Sequence, residues 1–500
     1  MAKVSGILFG CIVLICAVGC GGSSTPAPTP TPTPSQVFPN DEQLAQAAPV
    51  KVGTSGANAL DQGPLPAPGV CCLGTLGSLW TAPGVTNPVI LSNNHVLARS
   101  DQGAAGEAIN QPVQQACASP TTPPLTVAHL TKGAQLKPFA NEPPATSPAC
   151  TGSKAPLCGH APSNVDAAIA EIVPTQVDLT GNILDLGPAG ATTIAAAPPS
   201  STLGVASLGE AVGKSGRTTG LTCSSITSIS VTVPIDYENV CGDTKPPSNK
   251  PPAFTAYFNN QVVINGGTFS AGGDSGSLIV DTATARPVAL LYGGSPTDTV
   301  ANPIQNVVAA FGANSPLSVV GGPDHAVSCA RTATASSTQV GAAQAALIPQ
   351  ERQRVTAVQQ RRAAQLMQDA SIKSVTVGAS ADNPSEGALL IQASGSTIPR
   401  VPATIDGVRT RLVFDTAAVK TLPSVEKQGV DRAIAVKEAN VARLIGQPGI
   451  QGVGVSLSLD NPTETAISIY LVKGAAHAPI PAEIDGVRTR VFVSERLKAF

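Results

Sequence analysis

Between about Pro64 and Gly322 the chain is a succession of short apolar runs: GSLWTAPG, PVILSNNHVLA, VDAAIAEIV, SITSISVTVPI, QVVING and GSLIVDTATARPVALLYGG. Clusters of Gly, Pro, Asn or Asp separate them. Their brevity and their Val, Ile and Thr content predict strands of a barrel or a sandwich, and helical periodicity is nearly absent from the region. The 48 Gly and 45 Pro of the chain, against 3% aromatics, favour the same turn-rich β architecture. A formal charge of -2 and a charged fraction of 12% give no basic field for nucleic acid, which is excluded as a partner. At 500 residues the chain exceeds one compact core, so several domains are expected.

The first residues read as an export signal. Lys3 precedes an apolar stretch from Val4 to Val18, too short to span a membrane, and Ala17-Val18-Gly19-Cys20 has the form of a bacterial lipoprotein processing box. On this reading residues 1–19 are a signal peptide and Cys20 is the lipid-attachment residue that holds the protein to a membrane surface of the cell envelope. Ordinary cleavage and free secretion is the alternative. Residues 20–63 then form a linker, in which Pro26, Pro28, Pro30, Pro32 and Pro34 stand at every second place and keep the backbone extended.

Export places the remaining cysteines in an oxidising compartment, where disulfides outweigh thiolate metal sites. Cys150 with Cys158 and Cys223 with Cys241 are the pairs that local closure favours, and Cys71 or Cys72 is within reach of Cys117. No pair has the CxxC spacing of a zinc site, so neither a metal nor another cofactor is expected.

Composition changes after Gly322. Residues 323–348 read as a linker rich in Ala, Gln, Ser and Thr, and from there the chain repeats itself. IDGVRTR occurs at Ile405 to Arg411 and again at Ile484 to Arg490, and Asp382-Asn383-Pro384 recurs as Asp460-Asn461-Pro462. Two copies of a small α+β module, 349–422 and 423–500, are predicted. Each is a helix followed by three strands, the second helix carrying Val430, Ile434, Val441 and Leu444 at helical spacing. Protein contact or control of access to a neighbouring site is the expected role.

The chemistry concentrates in three places. Gly273-Asp274-Ser275-Gly276-Ser277 precedes an apolar strand; its glycines permit a tight turn that exposes the Ser275 hydroxyl and directs the N–H groups of Gly273 and Ser275 toward an oxyanion. His95 ends an apolar run, where a strand reaches a barrel rim. Asp166 stands at the mouth of AAIAEIV, where a carboxylate needs a hydrogen-bonding partner such as an imidazole N–H. The order His95, Asp166, Ser275 is that of chymotrypsin-type barrels and not of subtilisin or the α/β-hydrolases. Gly209 to Ser215 approaches a phosphate-binding loop, but its spacing is one residue short, and Lys214 is better placed in a strand and turn.

Residues of about 70 to 322 resemble the bacterial trypsin-like proteases similar to the plant NARROW LEAF type. The resemblance rests on LSNNHVLA, VDAAIAEI, GKSGRTTGLT, FSAGGDSGSLIV and LLYGGSPTDTVANPI. It implies a mainly β chain in which residues 64–322 form a chymotrypsin-like double β-barrel, with the triad in the cleft between the barrels. It also implies serine endopeptidase activity on a protein or peptide substrate. An esterase with the same triad, or a lipid-tethered binding or adhesion protein on a protease-like barrel, are the alternatives. Trypsin relatives often pair the Asp beside the nucleophile, here Asp274, with a newly cut N-terminal amine; direct folding into the active form is the other route. Phe269, Ser270, Gly293, Gly294 and Ser295 are the expected pocket residues. None is acidic, which predicts preference for a small or apolar side chain.

Overall fold

The computed structural model describes residues 41–61, 73–112, 124–136, 165–190, 192–237, 254–312, 316–329, 347–394, 397–414, 423 and 425–500. The signal segment, Cys20, and Cys71, Cys72, Cys117, Cys150, Cys158 and Cys241 lie outside them.

The chain is mainly β. The first sheet contains β1 (Thr54–Asn58), β2 (Gly74–Leu76), β3 (Ser78–Thr81), β4 (Val89–Ser92), β5 (Ala108–Gln111), β6 (Leu125–Gly133) and β7 (Ala168–Ile172). β4 pairs antiparallel with β3 and β7, β7 with β6, β6 with β5, β5 with β1, and β1 with β2. Because β2 and β3 are one run broken only at Gly77, whose N–H still reaches Leu91 O, the sheet curls back on itself into a barrel. Leu79, Trp80, Ile90, Leu91, Ile109, Val127 and Ala170 fill it and exclude water almost completely. The short helix α1 (Asn94–Leu97) follows β4 at the rim.

The second barrel is built from β8 (Ala211–Gly216), β9 (Gly220–Tyr237), β10 (Phe254–Asn265), β11 (Leu278–Asp281), β12 (Pro287–Gly294) and β13 (Asp298–Pro303). Its path β10-β13-β12-β11-β8-β9 is closed by pairing of β9 with β10. Helix α2 (Ile304–Ala310) follows, and β14 (Ser318–Val319) returns to pair with β3 of the first barrel.

Two boundaries and one disulfide differ from those expected. The first barrel takes its opening strand, β1, from ahead of Pro64: TSGAN carries no apolar alternation, because its small side chains are all buried. Residues 323–329, expected in a linker, run along the second barrel, where His325 and Val327 donate their N–H groups to Thr284 O and Thr282 O. Cys223 is bonded to Cys329, with 5.8 Å between their Cα atoms, which corrects the expected pairing with Cys241. The cost of loop closure grows only with the logarithm of loop length, so nearness in sequence is a weak guide once tertiary packing brings a distant thiol alongside.

Two helix-led segments follow. In the first, α3 (Pro349–Leu366) covers β15 (Ile372–Ala379), β16 (Gly387–Ala393), β17 (Thr404–Ile405) and β18 (Val408–Val413), burying Val355 and Val358 against Ile372, Leu389, Ile391 and Val408. In the second, α4 (Lys427–Ile445) covers β19 (Ile450–Leu457), β20 (Thr465–Val472), β21 (Glu483–Ile484) and β22 (Val487–Ser494), burying Ala433, Val441 and Leu444. Both segments make the same pairings: antiparallel between their first two strands, parallel between the second and fourth, antiparallel between the short third strand and the fourth. Each has one strand more than expected, since a two-residue strand leaves no periodicity to read. Only the first has a sheet of its own. In the second, β19 pairs antiparallel with β9, so its sheet continues that of the second barrel.

The two segments meet through reciprocal contacts of the repeated residues. Asp382 accepts from Ser458 Oγ (2.5 Å) and Leu459 N (2.6 Å), while Asp460 accepts from Ser380 Oγ (2.5 Å) and Ala381 N (2.6 Å). Arg409 donates to Thr489 O and Arg488 to Thr410 O. Burial, with the Asp460 charge adding to it, pushes the Asp382 carboxyl up to about 6, against the pull of its hydrogen bonds. The folded state thus binds a proton more tightly than the unfolded chain, so this site's contribution to stability is full below the ordinary carboxylate range and is lost as pH rises through about 6. Asp382→Asn is expected to raise thermal stability at pH about 8, by up to about 3 kcal/mol, and to change little at pH about 4. Melting curves at the two pH values check this; an equal gain at both would contradict it.

Candidate active site

Both catalytic candidates of the first barrel are held from several sides. Asn93, in extended conformation at the start of α1, donates from its amide to Asp166 O (2.7 Å), and Asn94 donates to Ala134 O and Asp101 Oδ1. These anchors fix the turn that presents His95. Its Nδ1 lies 2.6 Å from Asp166 Oδ2, and its backbone N–H donates to Asp166 Oδ1 at 3.2 Å. Asp166 is fully buried, a position in which a carboxylate is costly unless several donors surround it. The Tyr237 hydroxyl supplies another, 2.7 Å from Oδ2. Asn302 brackets the same residue, its amide donating to Asp166 O and its Oδ1 accepting from Asp166 N.

Ser275 is presented by the second barrel but gripped by the first. Thr75 N donates to Ser275 O (2.8 Å), and Thr75 Oγ1 donates to Gly273 O (3.0 Å). Gly273 and Gly276 have φ of +99° and +93°, a region unfavourable to other residues, and a Cβ on Gly276 would lie 2.0 Å from Ser92 Oγ and 2.4 Å from Thr75 O. The GDSG turn therefore packs directly against the opposite barrel and places the hydroxyl in the cleft.

Asp274, also fully buried, is satisfied from within the chain. It accepts from Thr218 N (2.8 Å), Thr219 N (3.1 Å), Thr219 Oγ1 (2.8 Å) and Ala271 N (2.9 Å). The equally buried Lys214 ammonium stands 3.7 Å from it, donating as well to Thr219 Oγ1 and Gly220 O. The ammonium beside this carboxylate thus comes from β8.

The cleft is occupied by the chain itself. A further strand, β23 (Lys498–Ala499), pairs antiparallel with Gly293 and Gly294 of β12, and the main-chain oxygen of Phe500 lies 3.0 Å from both His95 Nε2 and Ser275 Oγ. The seryl hydroxyl has a second acceptor in Tyr292 O at 3.2 Å. His95 and Ser275 therefore converge on one oxygen rather than on each other. Burial pulls the His95 pKa down, but the Asp166 charge and hydrogen bond, helped by Phe500 O, outweigh it and hold the imidazole above its ordinary value.

Two site neighbours escaped the sequence reading. Tyr237 ends an 18-residue strand with nothing local to mark it. Asp61 lies near Arg99 and His95 in a loop after β1; burial raises its carboxyl to about 6 against the lowering influence of those two groups. Of the expected pocket residues, Phe269 is buried in the apolar cluster against which Phe500 packs, Ser270 Oγ is 2.5 Å from Thr299 Oγ1, and Gly293 and Gly294 face β23. Ser295 Oγ lies 3.3 Å from Asp298 Oδ2.

No protein family matches the chain, and none of the curated proteins does. Solved structures do, among them serine proteases at low identity. A glutamic acid-specific serine protease is 16% identical with a TM-score of 0.31, covering 54% of this chain and 100% of its own. Thermobifida fusca protease A is 13% identical (TM-score 0.30; 55% and 99% covered), and Cellulomonas bogoriensis chymotrypsin 14% identical (0.29; 54% and 97%).

Proposed function

We propose that the protein is an exported serine endopeptidase with Ser275 as nucleophile, His95 as general base and Asp166 as the group that orients the imidazole. The observation that carries this reading is the meeting of Ser275 Oγ and His95 Nε2 on one main-chain oxygen of an extended peptide, with His95 Nδ1 held by a buried carboxylate. In the reaction Ser275 Oγ attacks the acyl carbon of the substrate while His95 Nε2 takes its proton. The N–H groups of Gly273 and Ser275 stabilise the oxyanion. His95 then delivers the proton to the leaving amine, and water hydrolyses the acyl-enzyme through the same relay. Peptide rather than ester substrate is favoured because β12 offers the backbone groups of a strand edge to an extended chain.

Export through residues 1–19 and a lipid on Cys20 belong to the same proposal and rest on the sequence of that segment. One experiment covers both parts. In a host that processes lipoproteins, a fluorophosphonate probe is expected to label the wild-type chain in the membrane fraction. Ser275→Ala should abolish the label, and Cys20→Ala should release labelled protein from the membrane. Undiminished labelling of Ser275→Ala would overturn the site, and unchanged membrane association of Cys20→Ala would overturn the anchor.

A further inference from the structure

We infer that Lys498-Ala499-Phe500 is a ligand of the cleft carried in cis, so that the second helix-led segment restrains the site and Phe500 marks its specificity: a large apolar side chain on the acyl side of the scissile bond. This deepens the endopeptidase reading and rests on it.

The segment has the features of a bound peptide. Ala499 and Lys498 lie opposite Gly293 and Gly294 in an antiparallel pair, and Phe500 N donates to Tyr292 O. Strand addition of this kind binds a peptide through its backbone and leaves the side chains to specify it. The Phe500 ring packs against the apolar cluster that contains Phe269, Ile264, Leu291 and Ala301. A Cβ on Gly294 would lie 2.8 Å from Phe500 Cζ, so the ring occupies space that the glycine leaves open. Meanwhile the Phe500 oxygen lies between His95 Nε2 and Ser275 Oγ, the place that the leaving group and then the hydrolytic water take in the proposed reaction.

The rest of the second segment sets this strand in place. β19 is fixed to β9 by Val453 opposite Thr232 and Val455 opposite Ile229. The buried ammonium of Lys437 donates to Thr232 Oγ1 (2.7 Å). Leu497 is buried beside Tyr237 and Phe258; its N–H donates to Gln451 Oε1 and its oxygen accepts from Asp236 N. Ordering of the peptide is therefore completed by folding. An occupant tethered this closely acts at an effective concentration in the millimolar range, which against a tripeptide affinity of order 0.1 mM gives about tenfold inhibition.

The test compares full-length wild type, Phe500→Asp, Phe500→Leu and Phe500→Gly by fluorophosphonate labelling rate and by cleavage of a peptide set. Phe500→Asp, which places a charge in an apolar pocket, is expected to label and to cleave about tenfold faster than wild type, while Phe500→Leu stays close to wild type. Phe500→Gly removes only the ring and gives the same acceleration, so the result does not depend on Phe500→Asp folding. Added acetyl-Lys-Ala-Phe should slow the released variants again, and these should prefer Phe, Tyr or Leu over Ala and Lys on the acyl side. Equal rates in all four chains, or preference for Ala or Lys, would overturn the inference while leaving the hydrolase intact. Absence of Ser275 labelling in every chain would instead overturn the endopeptidase reading.

Discussion

Asp166→Asn is expected to lower kcat by about 10⁴-fold while leaving the fold in place. The carboxylate accepts from His95 Nδ1, the His95 backbone N–H and the Tyr237 hydroxyl. An amide keeps the size of the group and one acceptor oxygen but loses the charge, and its NH2 can face an imidazole nitrogen only if the ring adopts the opposite tautomer. Nε2 would then carry the proton when it has to accept one from Ser275. A second consequence has a defined sign. Burial pulls the His95 pKa down and Asp166 is the main group raising it, so its removal should shift the acidic limb of kcat/KM to lower pH. Steady-state kinetics across pH with a chromogenic peptide checks both. A loss below about tenfold would remove Asp166 from the relay.

The parts of this site that were legible in the sequence are those whose chemistry leaves a local mark. The GDSG turn needs its glycines because Gly276 abuts Ser92 and Thr75, and that requirement is written into four consecutive residues. His95 and Asp166 announce themselves as polar residues at the ends of apolar runs. Strand β1 does not, because TSGAN is buried on both faces by small side chains and so alternates in nothing. The Cys223–Cys329 bond and the contact of Tyr237 with Asp166 join residues far apart in sequence, and no periodicity reports such encounters. Lys498-Ala499-Phe500 is the extreme case. Three unremarkable residues acquire meaning only because β19 continues the sheet of the second barrel and delivers them to the cleft.

Lys214 was legible as a strand residue, and its pairing with Asp274 was not. Lys214→Met is expected to destabilise the chain by about 3 kcal/mol, because it leaves the Asp274 carboxylate buried without its lysine, with the Arg217 charge as the remaining cation nearby. The four neutral donors to Asp274, from Thr218, Thr219 and Ala271, remain and limit the loss. Activity should fall with stability, since Asp274 sits between Gly273 and Ser275, and any shift of its carboxylate moves the turn that presents the nucleophile. A double-mutant cycle separates this ion pair from mere loss of packing at a buried lysine. Asp274→Asn alone removes the charge and should also be costly, but in the Lys214→Met background it removes a charge that has already lost its lysine. The two substitutions are therefore expected to couple by about 1–3 kcal/mol in urea denaturation, the double variant being less damaged than the sum predicts. Coupling below about 0.5 kcal/mol would mean that the backbone and hydroxyl donors alone hold Asp274, and that the internal lysine does not.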